Sequence, residues 1–267
     1  MNDAPIGIFD SGIGGLTVVA AILRALPQEH VVYVGDTARV PYGPKSPETV
    51  VRYSRQIASW LLAQNVKAIV IACNTATAHA LDSLRLELPV PVIGVVEPGA
   101  RAAIGASHGG RIGVIGTAGT INSGAYRRAI ASLAPTAIVT EVPCPLFVPL
   151  VEEGWVDHPA TRLIAETYFA PLREANVDTL VLGCTHYPLL APIIQEVIGQ
   201  HVRLVDSAAE TAVALRNALQ ASTLSASAHS VALRNRFVVT DAPQSFRLVG
   251  QRFIGPALDE VETTVFA

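Results

Sequence analysis

Short apolar runs rich in β-branched residues alternate along the chain with longer segments patterned at helical spacing. Residues 6–9, 31–34, 68–71 and 92–95 read as strands, separated by helices such as those over 16–26 and 47–64. That alternation predicts βαβ units and a parallel sheet with helices on both faces. The pattern then restarts. IGIFDS at 6–11 lines up with IGVIGT at 112–117, an offset of 106 residues. IVIAC ending at Cys73 lines up with LVLGC ending at Cys184, 111 residues on, and VIG at 92–94 with LVD at 204–206, 112 residues on. Three correspondences at nearly constant offset imply an internal duplication. The predicted fold is therefore α/β, with two similar parallel-sheet lobes related by a pseudo-twofold axis. The first lobe is expected over 1–97 plus about 208–267, and the second over 98–207.

In open parallel sheets the ligand site lies beyond the carboxyl ends of the strands. Polar residues gather at those ends: Asp10 and Ser11, Gly35-Asp36-Thr37, Cys73-Asn74-Thr75, and in the second half Thr117, Thr120 and Cys184-Thr185-His186. Two lobes facing each other would line one cleft with a thiol on each wall. Placing the active site there gives the matched cysteines a purpose.

Composition narrows the function. The 267 residues are 50% hydrophobic and 15% charged, enough to bury a large core, and the net charge is −3 with no Lys/Arg cluster. Nucleic acid and anionic membrane surfaces are poor partners for such a chain, and a small-molecule substrate is the better expectation. No apolar run reaches the roughly 18 residues of a membrane span, and the N-terminus lacks the pattern of a signal peptide, so the protein is expected in the cytoplasm. Three cysteines without an export signal fit free thiols rather than a disulfide framework.

Two opposed thiols suit few chemistries. No metal is expected, since CxxC, HExxH and a third ligand at the right spacing are all missing. A redox pair would favour close cysteines. A Cys184–His186 nucleophile and base would leave Cys73 without a role. The remaining chemistry is acid/base work on both faces of one carbon: one group removes a proton, and another returns a proton to the opposite face. A thiol can serve in either role, because its ordinary pKa of about 8.5 is easily tuned toward neutrality. Lys45 and Lys67 are the only lysines, neither in a setting that suggests a Schiff base, so no cofactor is expected. Asp10 and His186 are placed to help move the two protons. Asp10 could instead cap the helix starting near Gly15, and a lone histidine is often only a structural hydrogen-bonder. Cys144, between Pro143 and Pro145, reads as a small buried residue, and Trp60 and Trp155 as packing residues. Tyr42, in the turn Pro41-Tyr42-Gly43, reads as an aromatic that covers a ligand.

Six motifs in order, FDSGIGGLT from Phe9, GDTARVPYG from Gly35, ACNTA from Ala72, EPGA from Glu97, GTAGT from Gly116 and GCTHYPLL from Gly183, closely resemble the signatures of bacterial glutamate racemase. The resemblance implies a cofactor-independent racemase of the aspartate/glutamate racemase superfamily that supplies D-glutamate for peptidoglycan. It implies that Cys73 acts on the D-enantiomer and Cys184 on the L-enantiomer, with Asp10, Glu152 and His186 assisting. The family's substrate-binding positions fall on Asp10, Ser11, Pro41, Tyr42, Gly43, Asn74, Thr75, Thr185 and His186, with Thr117 and Thr120 as further contacts. Of the adjacent Glu152 and Glu153, only the resemblance favours Glu152. Aspartate racemase would use the same thiols with a pocket one methylene shorter, and a non-enzymatic amino-acid binding protein would make them incidental. With five residues before the first strand, control by a peptidoglycan precursor through an N-terminal extension is not expected. A homodimer is the assembly the resemblance suggests, and part of the tail after about Ala221 is expected to return to the first lobe.

Overall fold

The computed structural model describes residues 3–226, 234–255, 258 and 260–266, so part of the Ser/Ala-rich stretch after Ala221 lies outside the described residues. Among the described residues ten strands follow one another: β1 (Ile6–Asp10), β2 (Val31–Gly35), β3 (Ala68–Ile71), β4 (Val92–Gly94), β5 (Arg111–Gly116), β6 (Ile138–Pro143), β7 (Thr179–Gly183), β8 (Arg203–Val205), β9 (Arg236–Val239) and β10 (Glu262–Thr263). The chain divides into two compact units, residues 1–95 with 208–267 and residues 96–207.

The first unit carries a sheet of order β10-β9-β2-β1-β3-β4, with every pair parallel. All residues of β1, β2 and β3 are buried, as expected where helices cover both faces of a parallel sheet. On one face Ile8, Tyr33 and Val70 pack with Leu16, Val19 and Ile22 of the helix Leu16–Ala25. On the other, Val32, Val34, Ile69 and Ile71 pack with Ile57 and Leu61 of the helix Pro47–Ala63. That helix starts where the sequence dictates: Ser46 accepts the Thr49 N–H at 3.3 Å, and Pro47 occupies the first turn, where no amide donor is required. Phe9 lies opposite both Val34 and Ile71, so the chain leaves β1, β2 and β3 at one level, with Asp10 beside the approach to Cys73.

The second unit carries a sheet of order β6-β5-β7-β8, again all parallel. This repeats the order β2-β1-β3-β4 strand for strand, which is the duplication seen in the sequence. Val114, Val181, Tyr126 and Ile130 form its core against the helix Val96–Ala106. Gly99 in that helix permits a close approach, since a Cβ there would lie 2.9 Å from the Tyr126 hydroxyl and 3.1 Å from Ser207 Cβ. Gly116 and Gly183 lie opposite each other, so Thr117 and Cys184 leave β5 and β7 at one level.

Asp178, just before β7, ties down the turn into β5. Its carboxylate accepts from the Ser107 hydroxyl at 2.6 Å, Gly109 N–H at 2.7 Å, Thr179 hydroxyl at 2.8 Å and Arg111 N–H at 3.4 Å. Burial alone would raise its pKa, but the Ser107 and Thr179 hydroxyls and the two amides outweigh it and hold the carboxyl below its ordinary value. A depressed folded pKa contributes stability that is present above the unfolded value and is lost as pH falls through the folded one. Asp178→Ala removes these bonds from a turn open to solvent, which screens them, and should lower stability by about 1 kcal/mol at neutral pH. Its melting temperature should then fall less than that of the parent between neutrality and about pH 3, as read by thermal melts.

Candidate active site

In the first unit β1 delivers Asp10 into a fully buried position, where Oδ1 accepts the Gly12 N–H at 2.9 Å. Asp10 is not a helix cap, because the helix Leu16–Ala25 begins after Gly15 with no side-chain cap bond. The glycine loop is required by proximity: a Cβ on Gly15 would lie 2.5 Å from Asp10 Cβ and 2.8 Å from the Tyr33 hydroxyl. Cys73 is the N-cap of the helix Asn74–Glu87, and its buried sulfur accepts the Ala76 N–H at 3.4 Å. Its thiol also reaches the Ser11 hydroxyl at 3.7 Å. A helix N-terminus is complementary to negative charge on that sulfur. Asn74 and Thr75 are buried in the first turn of the same helix.

The segment after β2 is held by Asp36. Its buried carboxylate takes Arg39 Nε on both oxygens, at 2.9 and 2.8 Å, the Thr240 hydroxyl at 3.0 Å, and the Tyr42 hydroxyl. Tyr42 does lead a turn, with Lys45 N–H donating to its carbonyl at 3.0 Å, but its ring is buried in the core rather than covering a surface. Burial, then the charge of Asp36 and the hydrogen bond to it, push the Tyr42 hydroxyl far up, so it serves as a fixed donor to Asp36. Pro41 is exposed and Gly43 is buried, so what this turn can offer a ligand is mainly backbone.

In the second unit Thr117 caps the short helix Ala118–Asn122, accepting the Thr120 N–H at 3.3 Å, and the two threonine hydroxyls lie 3.1 Å apart. Cys184 follows β7 and is buried, as are Thr185 and His186. Here a chain of contacts forms: Cys184 Sγ lies 3.9 Å from His186 Nδ1, and His186 Nε2 lies 3.2 Å from Glu152 Oε1. A proton on Nε2 donated to Glu152 leaves Nδ1 as the acceptor facing the thiol, which is the arrangement a proton relay needs. Glu152 ends the helix Phe147–Glu152 with its carboxylate 40% exposed, while Glu153 faces solvent.

Cys144 is packed away. Its thiol contacts the Val142 carbonyl at 3.7 Å, and burial first, then the charge of Cys184, push it well above the ordinary thiol range. The Cys144 carbonyl accepts the buried Tyr187 hydroxyl at 2.8 Å, which fixes the turn after Cys184. Trp60 packs edge-on to Phe266 with ring centres 6.3 Å apart. Trp155 departs from the packing reading: it is nearly half exposed and stacks on His158 at 4.2 Å, because the turn it occupies runs over the surface. Among the described residues, no three His, Cys, Asp or Glu side chains gather closely enough to hold a metal ion, and no helix is long and apolar enough to cross a membrane.

Sequence reasoning missed the supports. Thr240 meets Asp36 across 204 residues, and nothing local in the chain marks that contact. Tyr33 reads only as a strand residue until its hydroxyl is found 2.8 Å from the Gly12 carbonyl.

Duplicated parallel sheets, each ending one strand in a buried thiol beside ionisable or hydroxyl neighbours, agree with the family model described as Asp/Glu/Hydantoin racemase. That model matches residues 6–215, and the chain belongs to this family. Within it the chain is similar to glutamate racemases. It is 55% identical to the glutamate racemase of Geobacter metallireducens over 256 residues, covering 96% of this chain and 94% of the relative. Among solved structures, a glutamate racemase isoform of Bacillus anthracis is 39% identical with a TM-score of 0.93, covering 100% of this chain and 98% of that one. The Francisella tularensis glutamate racemase, solved in complex with D-glutamate, is 38% identical with a TM-score of 0.92, covering 99% and 98%.

Proposed function

We propose that the protein interconverts L- and D-glutamate without a cofactor, supplying D-glutamate for peptidoglycan synthesis in the cytoplasm, with a homodimer as its assembly. The observation that carries the reading is the matched placement of Cys73 after β3 and Cys184 after β7, in sheets of the same strand order. Starting from D-glutamate, the Cys73 thiolate takes the α-proton, and the C–H electron pair is left on the α-carbon and spread into the carboxylate. The Cys184 thiol then gives its proton to the opposite face, so the step ends with Cys73 as thiol and Cys184 as thiolate. The L-enantiomer runs the same sequence in reverse. Asp10 beside Cys73, and His186 with Glu152 beside Cys184, return the thiols to their starting states. Ser11, Pro41, Tyr42, Gly43, Asn74, Thr75, Thr117, Thr120, Thr185 and His186 bind the substrate. Hydroxyl and amide donors at strand ends and helix starts suit its two carboxylates.

Purified, chelator-treated protein is expected to bring either pure enantiomer of glutamate to an equimolar mixture, followed by chiral chromatography, because enantiomers have equal free energy. Aspartate should react with a kcat/KM lower by about 100-fold or more, since one misplaced carboxylate leaves buried donors unpaired. Comparable values for the two amino acids would replace glutamate by aspartate as the substrate. Loss of activity on chelation would contradict the metal-free reading.

A further inference from the structure

We propose that Tyr33 is a positioning residue that fixes Asp10 beside Cys73, and so governs proton transfer on the Cys73 side of the reaction alone. The inference rests on the two-thiol reading above. Tyr33 lies in the middle of β2 with its side chain fully buried, its ring packed on Phe246 and Phe237 at 6.0 and 6.3 Å. A phenylalanine would satisfy that packing. The hydroxyl is the exception, and it donates to the Gly12 carbonyl at 2.8 Å.

The other end of the same residue is held by the catalytic candidate itself, since Gly12 N–H donates to Asp10 Oδ1 at 2.9 Å. Gly12 is thus clamped between Tyr33 and Asp10. The space a Cβ would fill on Gly15 lies 2.8 Å from the Tyr33 hydroxyl and 2.5 Å from Asp10 Cβ, so the three residues meet at one point. Burial first, then the charges of Asp10 and Cys73, raise the Tyr33 pKa far above its ordinary value, which keeps the hydroxyl a donor wherever the protein is folded.

Tyr33 has no tyrosine counterpart at the equivalent strand position of the second unit. Ile8 lies opposite Tyr33 in the first unit, and the equivalent Val114 lies opposite Glu141 in the second. Glu141 pairs with Arg127 at 2.8 Å and supplies no hydroxyl to the loop after β5. A defect at Tyr33 should therefore fall on one proton transfer and spare the other.

Tyr33→Phe tests this in the full-length protein. The loop over 11–16 should exchange its amide hydrogens at least about threefold faster by mass spectrometry, with 184–190 unchanged. Turnover should fall about fivefold to twentyfold from both enantiomers, as expected for loss of one buried hydrogen bond and some alignment. The primary isotope effect on kcat/KM should rise for α-deuterated D-glutamate, whose deuteron Cys73 removes, and fall toward unity for α-deuterated L-glutamate. Phe246→Leu disturbs the packing without touching the hydroxyl, and should lower the melting temperature while leaving both isotope effects at their parent values. Isotope effects in Tyr33→Phe that match the parent, or that shift together, would overturn the proposal, as would unchanged loop exchange. Failure of the parent protein to racemise glutamate would instead overturn the proposed function, and loop exchange would still decide whether Tyr33 anchors the loop.

Discussion

Cys73→Ala and Cys184→Ala are each expected to abolish racemisation from both enantiomers, by about 10⁴-fold or more, while Cys144→Ala stays within about threefold. The α-proton of an amino acid is a very weak acid, and each thiol is the only base proposed for its face, so removal of either stops inversion in both directions. Serine should rescue little, because an alkoxide is not accessible near neutrality. The survivors should still be informative. With Cys73 replaced, Cys184 can remove and return a proton on one face of L-glutamate, exchanging its α-hydrogen with solvent without inversion. Cys184→Ala should do the mirror-image exchange on D-glutamate. Cys144 lies outside this logic, since its buried thiol faces the Val142 carbonyl at 3.7 Å and is held protonated by burial. Alanine there costs a small packing loss.

His186→Asn should lower kcat by about 10- to 100-fold, as one step removed from the reacting carbon. The ring is buried between Cys184 at 3.9 Å and Glu152 at 3.2 Å, so its loss removes the group proposed to move the Cys184 proton and opens a space beside it. Glu152→Gln should cost only a few-fold, because the amide oxygen can still accept the Nε2 hydrogen. Glu152→Ala should cost about 10-fold by releasing the ring. Steady-state kinetics from both enantiomers would show this ranking. A Glu152→Gln variant as impaired as His186→Asn would mean that the carboxylate charge, rather than the hydrogen bond, supports the histidine.

The strands that carry the two thiols were legible because β3 and β7 are buried on both faces, which leaves near-continuous apolar runs ended by a polar cluster. The duplication was legible for the same reason. β6 was not, since it lies at a sheet edge with partly exposed residues and loses the apolar signature. Glu152 and Glu153 are indistinguishable as neighbours in sequence, and only the approach of His186 separates them. The tie between Asp36 and Thr240 joins residues 204 positions apart, and a hydroxyl meeting a carboxylate at that separation leaves no periodic trace. The turn at Tyr42 is legible in the sequence, but the preference of a buried phenol for a partner takes its ring inward to Asp36.

Two-thiol inversion is the central claim, and the α-hydrogen of the first product molecules tests it most directly. D-glutamate converted in D2O, stopped early and analysed by chiral separation and mass spectrometry, should give L-glutamate that carries one deuterium at the α-carbon. On the two-thiol account the proton taken by Cys73 is not the one that Cys184 delivers, and the Cys184 thiol exchanges with solvent between turnovers. L-glutamate that retains the original hydrogen would show one base carrying a single proton from face to face, and would contradict the account.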